Sequence, residues 1–142
     1  MSTHTPSIQP TVDSFHRVRM ATRWVRRSSA IIAAHGDLDA SNAHEFVDHV
    51  LRAVPRAERL VLDLNGVDFF GTAGFSALHT VNVRCAADRI DWVMVPSQAV
   101  LHLLRICDPD SALPRCDSIS AALDTWRRGK PRPLLQLIAK SR

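Results

Sequence analysis

Thr72 stands one residue after Gly71 and two before Gly74 in the stretch DFFGTAGFSAL, Asp68 to Leu78, where an apolar strand gives way to a helix. A hydroxyl at a helix start has two uses. It can cap unpaired backbone N–H groups, a contribution of ~1 kcal/mol, with the glycines easing a tight turn. It can also accept a phosphate, because the same N–H groups and the positive end of the helix dipole accommodate an anion. A second candidate is GDLDA, Gly36 to Ala40, which sets the carboxylates of Asp37 and Asp39 between a strand and a helix. These close a turn and complement the helix N-terminus. Their spacing of two also raises a metal site, but the only further oxygen ligands within reach of the pattern, Asp63 and Asp68, follow no ligand spacing, so no metal is expected.

Other reactive side chains do not assemble into a catalytic pattern. His44 and His49 fall on the first helix, His79 on the second and His102 on the third, none in an H-E-x-x-H frame, and they read as solvated helix-surface residues. Cys107 has His102 nearby but lies on an apolar helix face, which points to packing. No G-x-S-x-G elbow and no G-x-x-x-x-G-K-[ST] phosphate loop occurs. An enzyme is not expected, and no cofactor is implied.

Composition narrows the class further. At 142 residues, 46% hydrophobic and 23% charged, the chain can bury one core without disulfide or metal support. With 6% aromatic residues and no tyrosine it lacks a stacking platform for single-stranded nucleic acid. The net charge of +4 is local, concentrated in Arg23, Arg26 and Arg27 and in the stretch from Arg127 to Arg142, and no recognition motif accompanies it; direct nucleic-acid binding is not expected. Three cysteines, Cys85, Cys107 and Cys116, without C-x-x-C spacing read as small core residues of a reducing compartment. MSTHTPSIQPTVDS lacks the apolar stretch of a signal peptide, and no apolar run reaches the ~20 residues of a membrane helix, so the expected location is the cytoplasm, with no membrane span.

Periodicity supplies the elements. Residues 1–16 read as a flexible N-terminal arm. RMATRWV and AIIAAH are short strands joined by a turn at RRSS. After GDLDASN, apolar residues at Ala43, Phe46, Val47, Val50, Leu51 and Val54 predict a helix stopped by Pro55. RLVLDL, Arg59 to Leu64, is the nearly continuous apolar run of a strand covered on both faces. NGVDFFG reads as its connection to a helix over Thr72 to about Ala87. IDWVMV is a further strand, Ser97 caps a helix with Val100, Leu103, Leu104 and Cys107 inward, DPDSALPRC is a loop, and Ile119, Ala122, Leu123 and Trp126 mark a last helix. The expected architecture is α/β: a single domain over residues 17–126 with a mixed four- to five-stranded sheet and about four helices, then a basic C-terminal tail over 127–142. That tail, with Leu134, Leu135, Leu137 and Ile138, reads as solvated or folded back on the domain.

The order of hairpin, GDLDA, helix, VLDLNGVDFFGTAGFSAL, helix, strand and PSQAVLHLL resembles the STAS domain, in particular the anti-sigma factor antagonists of bacterial partner switching, over roughly Met20 to Trp126. Gly36 to Asp39 resemble the family's G-E/D-L-D turn, and Val61 to Val67 its strand leading into the site. Where the family reads F-x-D-S-S-G-L, this chain has FFGTAGF, so Thr72 takes the phosphoacceptor position and Gly74 that of the glycine two residues on. The resemblance implies a binding switch: an antagonist that binds an anti-sigma factor of the GHKL kinase type, releases a sigma factor, is switched off by phosphorylation and is reset by a phosphatase. It implies phosphorylation at Thr72 and a partner-binding surface from Asp37, Asp39, Asp68, Gly71, Thr72, Ala73, Gly74 and Phe75. Gly71 replaces the family's aspartate and Ala73 its second serine. This leaves two readings of the antagonist, a phosphorylatable switch and a constitutive binder. The alternatives outside them are a phosphorylation-independent STAS adaptor subunit of a transporter or signalling complex and, by family analogy, nucleotide binding on the same rim.

Overall fold

Leu60, Val61, Leu62 and Leu64 are fully buried, and alternate side chains of this run enter two separate apolar clusters. That division lays out the protein. In the computed structural model, which describes residues 11–128, five strands form one sheet in sequence order. They are β1 (Thr11–Phe15), β2 (Val18–Arg26), β3 (Ser29–Leu38), β4 (Arg59–Phe70) and β5 (Asp91–Pro96). β1, β2 and β3 pair antiparallel, whereas β3, β4 and β5 pair parallel. The helices are α1 (Ala43–Ala53), α2 (Thr72–Ala87), α3 (Gln98–Cys107) and α4 (Ile119–Arg127), with a short 3-10 turn at Val54–Arg56.

Leu60, Leu62 and Leu64 point into the larger cluster with Phe46 and Val50 of α1, Leu78, Val81 and Cys85 of α2, and Val100 and Leu104 of α3. Each such fully buried aliphatic side chain contributes roughly 1.5–3 kcal/mol. Val61 points the other way, with Ile31, Val93 and Val95, against Ala122 and Trp126 of α4. One apolar strand thus serves two layers, which explains its lack of alternation.

The helix ends follow their local chemistry. Ser97 Oγ accepts from Val100 N at 3.3 Å at the start of α3, and Ser118 Oγ accepts from Ala121 N at 3.0 Å at the start of α4. Pro55 falls inside the 3-10 turn that closes α1, as expected from its missing N–H.

Several sequence expectations are corrected. Residues 11–15, assigned to the arm, form β1, because Thr11 to Phe15 pair with Val18 to Thr22 across a two-residue turn. NGVDFF is not a connection: β4 continues to Phe70, because the parallel pairing with β3 absorbs two register shifts opposite Ala33–Asp37. Gly36, Asp37 and Leu38 lie in β3 rather than in a turn. His49 is not solvated but buried, 2% exposed, on the inner face of α1. The tail expectation for 129–142 and the arm expectation for residues 1–10 lie outside the described residues.

Candidate partner-binding rim

The parallel register of β3 and β4 sets Asp37 opposite Phe69 and Leu38 opposite Phe70. Immediately beyond, the Gly71 amide donates to the Leu38 carbonyl at 3.0 Å. Two motifs more than thirty residues apart in sequence are thereby fixed side by side at the C-terminal ends of the strands, the edge where α/β sheets place functional loops.

Two glycines make this approach possible. Gly36 has φ +114°, and a Cβ there would lie 2.2 Å from the Arg17 carbonyl oxygen. That oxygen instead accepts from the Asp37 amide at 2.8 Å. Gly74 lets the first turn of α2 lie on Phe70, whose ring a Cβ would meet at 2.5 Å. Gly71 is under no such demand: its φ is −94°, and a Cβ would make only ordinary contacts, with the Phe69 ring at 3.4 Å and the Leu38 carbonyl oxygen at 3.9 Å.

Thr72 is the first residue of α2 and is exposed. It is not the cap. Gly71 occupies that position, and no side chain caps the helix. The amides of Gly74 and Phe75 return to the Gly71 carbonyl at 2.9 and 3.3 Å. Those of Thr72 and Ala73 precede the first helical bond, where an α-helix leaves its N–H groups unpaired. The hydroxyl therefore stands beside unpaired donors at the positive end of a sixteen-residue helix.

Across from it, Asp37 and Asp39 are held by a small network. Arg17, in the turn between β1 and β2, reaches Asp37 at 3.2 Å and Asp39 at 3.9 Å. Asp39 accepts from the Ser41 amide at 2.9 Å and the Ser41 hydroxyl at 2.5 Å. These bonds, the Ser41 hydroxyl foremost, hold the Asp39 carboxyl below the usual carboxylate range, and Arg17 adds to the effect. Asn42 is wholly buried; its amide nitrogen donates to the carbonyls of Asp37, at 2.7 Å, and His16, while its oxygen accepts from the Asp39 amide at 3.1 Å.

Asp37, Asp39, Gly71, Thr72 and Ala73 thus share one rim. Asp68 is exposed where β4 carries its extra residue and faces a neighbouring shallow depression of about 490 Å³, shared with Arg17, Arg19 and His35. Gly74 is buried and supports the rim from below, and Phe75 is half-buried against the core. Arg17, Asn42 and Phe69, which is 52% exposed beside Gly71, were not singled out by sequence. Asn42 had a signal, a capping-type residue after GDLDAS. Arg17 had none, since its role depends on the β1–β2 turn. Among the described residues no helix is long and apolar enough to cross a membrane.

The STAS domain family model matches residues 23–122. The anti-sigma-F factor antagonist RsfA of Mycobacterium tuberculosis is 33% identical over 100 residues, 68% of this chain and 78% of that protein. Osmosensory protein A of the same species is 30% identical over 104 residues, 70% of this chain; the match spans 66% of that protein, just under two thirds of its length. Among solved structures, an anti-sigma factor antagonist from Mycobacterium paratuberculosis superposes with a TM-score of 0.65 at 18% identity, covering 87% of this chain and 97% of that one. Unphosphorylated SpoIIAA, an anti-sigma factor antagonist, superposes with a TM-score of 0.62 at 14% identity, covering 76% and 96%.

Proposed function

The chain belongs to the STAS domain family, and from that premise we propose that it is an anti-sigma factor antagonist, a binding protein rather than an enzyme, whose docking surface is the rim of Asp37, Asp39, Phe69 and Thr72. The observation that carries this reading is the pairing of Asp37 with Phe69 and of Leu38 with Gly71, which brings both family motifs to one edge. The partner is an anti-sigma factor of the GHKL kinase type, binding takes place in the cytoplasm, and sequestration frees a sigma factor.

Phosphorylation of Thr72 switches the rim off. A phosphoryl group adds about 1.5–2 negative charges and a hydrated bulk. It would be tolerated by the isolated protein, because it sits at the N-terminus of α2, yet it would stand beside the exposed Phe69 and near two carboxylates in a surface that must shed water to dock. A penalty of ~3 kcal/mol weakens binding more than a hundredfold. A phosphatase restores the free hydroxyl.

Gly71 favours a second reading, a phosphorylation-independent binder, because it puts no carboxylate next to the acceptor. One experiment separates them. The protein is used to capture partners from native lysate, the cognate kinase is identified by mass spectrometry, and the intact mass is followed after incubation with that kinase and ATP. The switch reading expects a gain of about 80 Da at Thr72 and loss of capture by Thr72→Glu. Unchanged mass with capture retained by Thr72→Glu establishes the constitutive binder. Co-purification with a membrane transporter instead of a soluble kinase would overturn the antagonist reading.

A further inference from the structure

The inner face of α1 carries a polar cluster that the rim does not use. His49, 2% exposed, has its Nδ1 2.6 Å from Asp13 Oδ2 of β1 and its Nε2 2.7 Å from Thr22 Oγ1 of β2. Arg52, one turn along α1, places Nη2 2.5 Å from the same Asp13 oxygen and 3.3 Å from His49 Nδ1. Phe15 presents its ring edge-on to the imidazole at 6.5 Å. Thr11, Trp24 and Arg56 complete a small cavity of about 210 Å³ beside it. Asp13, Arg52 and Arg56 are thus the charged groups around the ring.

We propose that His49 is a proton-sensitive clip: as a neutral imidazole it fastens the edge strand β1 to α1 and steadies the turn that braces the rim, and protonation loosens that attachment.

The geometry requires one tautomer. With a neutral ring, Nδ1–H donates to Asp13 and Nε2 accepts from the Thr22 hydroxyl, so both ring nitrogens are paired. A second proton would turn Nε2 into a donor, force the Thr22 hydroxyl to rotate, and place a cation 3.3 Å from a guanidinium with a single carboxylate between them. Burial, the largest influence, lowers the ring's pKa below its ordinary 6.5, and Arg52 acts in the same direction; the bond and the charge of Asp13 oppose them. The opened arrangement, with the ring in water, therefore takes up a proton more readily than the closed one. As pH falls below 6.5 the balance moves toward opening.

The consequence reaches the rim through the chain. β1 lies at the sheet edge, paired with β2. It runs directly into the turn where the His16 carbonyl accepts from Asn42 and the Arg17 carbonyl accepts from Asp37 N. Freeing β1 frees the residues that anchor Asp37 and Asp39.

The test is amide hydrogen exchange of the full chain at pH 7.5 and 5.5, each rate divided by the intrinsic rate for that pH. In the native sequence the Thr11–Phe15 segment is expected to open more at pH 5.5, by up to about tenfold, the limit set one pH unit below the free histidine value, while Leu60–Leu64 keeps its protection. His49→Gln retains a donor and an acceptor without titrating and should show no such change; His16→Gln, which removes the nearest titratable group of the turn, should keep it. Equal protection of β1 at both pH values, or an undiminished response in His49→Gln, would overturn the clip. Should His49→Gln not fold, the native chain decides: NMR titration of the ring below pH 6.5 together with greater exchange of Thr11–Phe15 at pH 5.5 upholds the proposal, and titration at or above pH 6.5 or an unchanged β1 sinks it.

Discussion

The amide of Gly71 donates to the carbonyl of Leu38 at 3.0 Å, and this one bond closes the gap between the acidic end of β3 and the start of α2. Because it links backbone to backbone, it positions the Thr72 hydroxyl relative to Asp37 whatever side chain stands at 71. The rim's geometry is therefore separable from its chemistry, and the substitutions below divide accordingly.

Gly36→Ala attacks the geometry. A methyl group 2.2 Å from the Arg17 carbonyl, at φ +114°, cannot be accommodated without moving the backbone that also bonds Asp37 N. The expected loss is roughly 2–4 kcal/mol, read as a lower midpoint in urea unfolding, together with loss of partner capture.

Gly71→Asp changes the chemistry and leaves the geometry alone. Position 71 is the N-cap of α2, its φ is ordinary, and a side chain meets nothing closer than the Phe69 ring. An aspartate there should add about 0.5 kcal/mol of stability through capping and the helix dipole, visible as a higher Tm, and under the switch reading it should speed phosphorylation of Thr72. Thr72→Glu should likewise raise Tm slightly, so that any loss of binding by that variant reports the rim and not unfolding.

Cys85 is buried, and burial pushes its thiol up to about 12 from 9.0, with Asp88 reinforcing the shift. In the native protein at pH 8 the thiol should resist iodoacetamide, with alkylation appearing only as the chain unfolds, as peptide mass mapping would show. The linkage has a definite sign. A raised folded pKa means that the stability from keeping this thiol neutral is intact below pH 9 and is lost as pH climbs from 9 toward 12. Cys85→Ala should remove that part of the alkaline decline.

Asp39 titrates low chiefly because the Ser41 hydroxyl and amide bond its carboxylate. Ser41→Ala removes the stronger of these, and the Asp39 pKa should move back up toward 3.8, followed by carboxyl NMR. A depressed folded pKa contributes stability above the unfolded value and loses it as pH falls through the folded one, so the variant should show a weaker acid dependence below pH 4.

Much of this protein is determined by local sequence. The continuous run Leu60 to Leu64 read as a strand buried on both sides, the spacing of Leu78, Val81 and Cys85 set the inward face of α2, and Ser97 announced its helix because capping depends on residues three apart. The ordered match of GDLD and GTAG likewise singled out Thr72 and the two aspartates as candidates, and the register of β3 and β4 brings them to one edge. What depended on partners far along the chain stayed hidden. β1 and the extension of β4 to Phe70 exist because neighbouring strands supply hydrogen bonds that no local pattern records. Arg17 and Asn42 joined the rim, and His49 left the solvent, only when β1, β2 and α1 closed on one another. Register, bulges and buried polar pairs are relations between distant segments, and tertiary packing decided them.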